Sequence, residues 1–138
     1  MKLFLIRHGE TDYTAGKRLC GAIDAPLNRR GIAQARRLVR RLSKLKNAVV
    51  YTSPLLRTRT TARIVAPPDA RIIKCPELVE SNLGQWEGLT FDEIQERFPV
   101  AMKRWVSQPF VFGAPGGERL EQLQKRVRRF LKRIKSVG

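Results

Sequence analysis

The chain has 138 residues, 42% hydrophobic and 29% charged, the composition of one globular domain with its own core rather than of a disordered tail. Its formal charge of +16 is concentrated: residues 29–46 carry eight basic and no acidic side chains, and residues 117–138 carry eight basic against two acidic. The longest opening apolar run, residues 3–6, is too short for a membrane span or a signal-peptide core, so the chain reads as a soluble, cytoplasmic single domain.

Residues 2–6 form an apolar run that stops at a polar cluster, which predicts a fully buried strand ending at a site. Residues 11–28, with Gly16, Gly21, Asp24 and Pro26, are loop-like. Asn28 is a candidate N-cap for a helix that places Ile32, Ala35, Leu38, Val39, Leu42 and Leu45 at helical spacing. Residues 48–52 predict a second buried strand, broken at Ser53-Pro54, and residues 56–65 a helix ending before Pro67-Pro68. Residues 71–75 predict a third strand, and Gly84 and Gly88 mark a loop. Residues 91–98 and 101–106 predict short helices around Pro99, and residues 113–117 a turn. The last helix carries Leu120, Leu123, Val127, Phe130, Leu131 and Ile134 on one face. Alternating strands and helices predict an α/β fold, three layers with a mainly parallel sheet, whose sites lie at the carboxyl ends of its strands.

Cys20 and Cys75 are too few for a disulfide framework and are expected to be reduced, and His8 as the sole histidine argues against a zinc site. The two basic segments are either solvated helix faces or an electrostatic footprint for phosphate-bearing partners, nucleic acid included.

Two polar clusters follow predicted strands: Arg7-His8-Gly9-Glu10-Thr11, and Thr52-Ser53 leading to Arg57. A guanidinium fork binds two phosphate oxygens. A neutral imidazole beside it can attack phosphorus and carry the phosphoryl group covalently. Arg57 could grip the same dianion from another strand end, since charge spread over the equatorial oxygens calls for an electropositive cradle. The leaving alkoxide needs a proton, and Glu80 is the candidate general acid provided burial or its neighbours keep it protonated. Trp86 and Trp105 read as packing residues.

The order of these residues resembles a known family. Leu5-Ile6-Arg7-His8-Gly9-Glu10-Thr11 is similar to the signature of the histidine phosphatase superfamily, which includes the cofactor-dependent phosphoglycerate mutases. The likeness continues through Cys20-Gly21, Asp24-Ala25-Pro26-Leu27, Gly31, residues 51–57, Thr60-Thr61-Ala62, Glu80, Gly84, Trp86-Glu87-Gly88, Phe91 and Pro115-Gly116-Gly117-Glu118. By that resemblance the fold is phosphoglycerate mutase-like, His8 is the phosphoryl acceptor, Arg7 and Arg57 are phosphate clamps, and Glu80 is the proton donor. Thr14 stands where many members place a phosphate-contacting asparagine, and Cys20 and Gly21 belong to the substrate-binding loop. No cofactor or metal is implied.

The Cys20–Leu27 loop and the stretch from Phe91 to Glu118 look most like those of α-ribazole phosphatases, which act on a nucleotide-like phosphate late in cobalamin synthesis; broad-specificity phosphomonoesterases of the same superfamily share most of these marks. The short middle region leaves no room for the long insertions of the mutases. The family pattern also includes a second histidine, in a Ser-His-Gly motif on a strand after the last helix; this chain ends at Gly138 without it. The expectation is a phosphomonoester hydrolase, truncated at the C-terminus. The alternatives are a gap filled by a second copy through strand exchange or dimerisation, mutase-type activity, or a basic phosphate- or nucleic-acid-binding module without turnover.

Overall fold

The computed structural model describes residues 2–135. Six helices and two strands occur in the order α1 (Asp12–Ala15), α2 (Arg29–Leu42), β1 (Val49–Thr52), α3 (Leu56–Val65), β2 (Arg71–Lys74), α4 (Phe91–Arg97), α5 (Pro99–Ser107) and α6 (Leu120–Lys135) among the described residues. The chain divides into two compact units, residues 2–12 with 24–79, and residues 13–23 with 80–135.

In the first unit, β1 and β2 pair in parallel, Val49 opposite Arg71 through Thr52 opposite Lys74. A parallel pair needs a crossover, and α3 supplies it. The helix α2 begins where its sequence says it should: the Asn28 side chain accepts from the Gly31 N–H at 2.8 Å. Its first turn carries Arg29 and Arg30 and no acid, an unfavourable pairing with the positive end of the helix dipole. Glu10 offsets this from outside the helix, accepting from Asn28 Nδ2 at 3.0 Å and standing 3.6 Å from the Arg30 guanidinium. The buried face of α2, Ala35 and Leu42 with the half-buried Leu38, packs with Leu45 just beyond the helix on Val65 and Ile64 of α3.

The second unit is built around Trp86, Ile94 and Ala114, against which Leu19, Leu83, Leu89, Phe98, Met102 and Trp105 pack. Trp86 meets Trp105 edge to face, with ring centroids 5.7 Å apart. Thr90 and Glu93 cap α4 reciprocally, each side chain bonding the other's backbone N–H. Arg18 is held against this capping box, 2.7 Å from Glu93 Oε2 and 2.7 Å from the Gly88 carbonyl.

The α/β class and the parallel pairing agree with the sequence. Four details do not. Residues 2–6 form no strand: Leu3, Phe4, Leu5 and Ile6 are exposed, Leu5 to 89%. A short apolar run holds strand geometry only through a ladder, and residues 2–6 join none among the described residues. Within the stretch read as loop, Asp12–Ala15 makes one helical turn. Residues Gly84–Trp86 form a 3-10 turn, and α5 starts at Pro99, whose fixed φ suits the first position of a helix.

Candidate active site

Arg7, His8 and Arg57 lie in the first unit; Thr14, Cys20, Gly21 and Glu80 lie in the second. In the first, the Arg7-His8-Gly9 segment runs so close to the first turn of α2 that a Cβ on Gly9 would strike the Gly31 carbonyl, and one on Gly31 would strike the backbone of Glu10. Two glycines permit that approach. Glu10 extends the seam, its N–H donating to Gln34 Oε1 at 2.8 Å and its carbonyl accepting from the Asn28 N–H at 3.0 Å.

The same segment is tied to α3. The Gly9 N–H donates to Thr61 Oγ1 at 3.2 Å, and the Thr61 hydroxyl donates to the Arg57 carbonyl at 2.8 Å. The polar cluster after residues 2–6 and the one after β1 thus meet on the helix that carries Arg57. The side chain of Arg57 is buried, 1% exposed, whereas Arg7 is exposed. At the start of α3, Asp24 Oδ1 accepts from the Leu56 N–H, and Ser53 Oγ shares a hydrogen bond of 2.6 Å with Thr58 Oγ1.

His8 is half-buried, and its Nδ1 lies 2.7 Å from the Gly9 carbonyl oxygen. A carbonyl only accepts, so Nδ1 carries a proton, and in the neutral imidazole the lone pair then lies on Nε2. That is the tautomer a nitrogen nucleophile requires.

In the second unit, Thr14 is half-buried on α1 and Cys20 is buried, its thiol directed to the Ile23 carbonyl at 3.6 Å. The Cys20–Ile23 turn has Gly21 in the left-handed region at φ +50°, pressed against the carboxylate of Glu87. Glu87 Oε1 accepts from the Ala22 N–H at 2.7 Å and the Leu83 N–H at 3.0 Å, pinning the Cys20-Gly21 turn to residues 83–88. Glu80 is exposed, and its Oε1 accepts from the Ser81 N–H at 3.0 Å. Glu80 thus stands exposed in the irregular stretch between residues 79 and 83.

Several positioning groups carried no role in the sequence reading. Thr61, Glu87 and Glu118 stood inside recognised blocks, but a side chain that bonds a distant backbone leaves no periodic signal. The Trp86 indole N–H, buried in the second core, has no hydrogen-bond partner among the described residues. The basic side chains of α2 face outward, Arg36, Arg37, Arg40 and Arg41 with Gln34 and Leu38 lining a shallow groove. No described helix is long and apolar enough to cross a membrane.

The family model described as histidine phosphatase superfamily (branch 1) matches residues 3–137. The chain belongs to the histidine phosphatase superfamily. Phosphoserine phosphatase 1 of Hydrogenobacter thermophilus is 35% identical over 136 residues, covering 98% of this chain and 64% of that protein. Phosphoglycerate mutase-like protein 4 of Arabidopsis thaliana is 36% identical, covering 96% of this chain and 60% of that protein. The crystal structure of α-ribazole phosphatase from Shigella flexneri superposes with a TM-score of 0.88 at 29% identity, covering 96% of this chain and 66% of that one. The chain thus spans about two thirds of the length of these histidine phosphatases.

Proposed function

We infer that this chain is a metal-independent phosphomonoester hydrolase working through a phosphohistidine. The observation that carries the reading is the Gly9–Thr61–Arg57 tie, which sets the Arg7-His8 segment on the helical turn bearing a buried arginine. Arg7 and Arg57 hold the phosphoryl oxygens. His8 Nε2 attacks phosphorus, the bond from phosphorus to the ester oxygen breaks, and the Glu80 carboxyl gives that oxygen its proton. The Glu80 carboxylate then takes a proton from water, which attacks the phosphohistidine. Inorganic phosphate leaves and the imidazole is restored. Thr14 and the Cys20-Gly21 turn contact the substrate. The arginines neutralise charge that a metal would otherwise carry.

The substrate is a small phosphomonoester, and α-ribazole 5'-phosphate is the leading one. The likeness to an α-ribazole phosphatase structure and the short middle region support it over mutase chemistry. The test is phosphate release from 4-nitrophenyl phosphate, α-ribazole 5'-phosphate, phosphoserine and 3-phosphoglycerate, in chelator, with rapid-quench labelling from a radioactive ester. Turnover with an acid-labile, base-stable label is expected, fastest on α-ribazole 5'-phosphate. Isomerised phosphoglycerate without phosphate release would make it a mutase. No release and no label would end the reading.

A second reading rests on α2. Arg29, Arg30, Arg36, Arg37, Arg40 and Arg41 are all exposed on one 14-residue helix with no acid, a surface that fits the phosphate backbone of a nucleic acid. Duplex DNA should bind at about 50 mM salt and be released as salt rises, and Arg36→Gln with Arg40→Gln should flatten the salt slope. No binding at low salt removes this reading and leaves the first untouched.

A further inference from the structure

The Glu80–Asn82 segment is fastened to α6 through one residue, Glu118, whose backbone holds Asn82 and whose carboxylate holds Arg126. The Glu118 N–H donates to the Asn82 carbonyl at 2.6 Å. The Glu118 side chain receives Arg126 Nε and Nη2, each at 2.7 Å. The pair is bidentate and largely shielded, with side chains 15% and 17% exposed. The Arg126 hydrogen bonds hold the Glu118 carboxyl below the usual carboxylate range, against the opposing effect of its partial burial. Arg126 is raised in turn, first by Glu118, with a smaller contribution from the charge of Glu80.

Arg126 therefore stands in the field of two carboxylates, and Glu118 occupies its fork. Without Glu118, the fork loses its partner, and Glu80 is the other carboxylate whose charge it feels. An acid captured by that fork is held in its charged form and has no proton to give.

We propose that Glu118 is a positioning residue for Glu80, occupying the Arg126 fork and fastening residues 80–82 so that the Glu80 carboxyl stays available to the leaving oxygen. The proposal rests on the hydrolase reading, in which Glu80 is the proton donor. It has a signature that simple loss of packing lacks. A nitrophenolate leaves without a proton, whereas an alkoxide does not, so a misplaced acid harms only alkyl esters.

The experiment compares kcat/KM for 4-nitrophenyl phosphate and glycerol 2-phosphate in the parent, Glu118→Gln, Glu80→Gln, and Glu118→Gln combined with Arg126→Met. Glu118→Gln should lose about 100-fold on the alkyl ester and less than about threefold on the aryl ester. Glu80→Gln should show the same pattern at equal or greater depth. The double variant, with no competing cation, should recover much of the alkyl activity. If Glu118→Gln does not fold, Arg126→Lys, which keeps the charge without the fork, is read by the same ratio. An equal fall on both esters, or no fall, in a parent active on both overturns the positioning role alone. A parent that turns over neither ester overturns the hydrolase reading and the proposal with it.

Discussion

Alanine in place of His8 should reduce phosphate release from 4-nitrophenyl phosphate by about ten-thousandfold or more and abolish the acid-labile label. The size follows from its role. Arginines can hold a phosphoryl group, but no other side chain in the Arg7-His8-Gly9-Glu10-Thr11 cluster supplies a neutral nitrogen to receive it. The hydrogen bond of Nδ1 to the Gly9 carbonyl fixes which nitrogen that is. His8→Asn is the informative companion, because its amide can keep a hydrogen bond to that carbonyl but cannot accept a phosphoryl group. Both variants should melt within a few degrees of the parent, since the imidazole is only half-buried and the seam with α2 and α3 runs through the backbone of Gly9 and Glu10. Turnover equal to the parent's in either variant would remove His8 from the chemistry.

The first unit was legible wherever one local signal decided the outcome. Asn28 and the spacing of Ala35, Leu38 and Leu42 announce α2; Pro67 closes off α3; the β-branched pairs Val49-Val50 and Ile72-Ile73 announce the strands. Residues 2–6 carry the same apolar signal and yet make no strand, because a ladder needs a partner and composition says nothing of partners. The helix boundary at Pro99 was misplaced for a different reason: proline punctuates, but it can open a helix as readily as it ends one. At the candidate site, the strand-end rule drew attention to His8 and Arg57 together. It could not show that Thr61 joins their segments, or that Glu87 and Glu118 fasten the loops of the second unit, because these are contacts between distant positions. The sequence left open whether burial or neighbours would serve Glu80; the residue is exposed, and a loop residue's burial is not determined by its neighbours in sequence.

Arg57 is the second position where a substitution should be severe. From the sequence it is one of three arginines on a single helix, with Arg59 and Arg63. The fold separates them: Arg57 is buried, Arg59 is half-buried and Arg63 is exposed. Three changes divide its contributions. Arg57→Lys keeps a cation on a flexible stem but loses the fork that matches two phosphate oxygens, and should lower kcat/KM by about 100-fold. Arg57→Met keeps the packed stem and removes the charge, and should lower it by about 1,000-fold, with the affinity for inorganic phosphate as inhibitor falling alongside. Arg63→Met, on the exposed face, should leave kcat/KM within about twofold, as an isolated surface cation does. Folding must be followed in the same samples, since a buried arginine contributes through its stem as well as its charge. A well-folded Arg57→Met that keeps the parent's kcat/KM and phosphate affinity would mean that this guanidinium serves the packing of α3 and not the phosphoryl group.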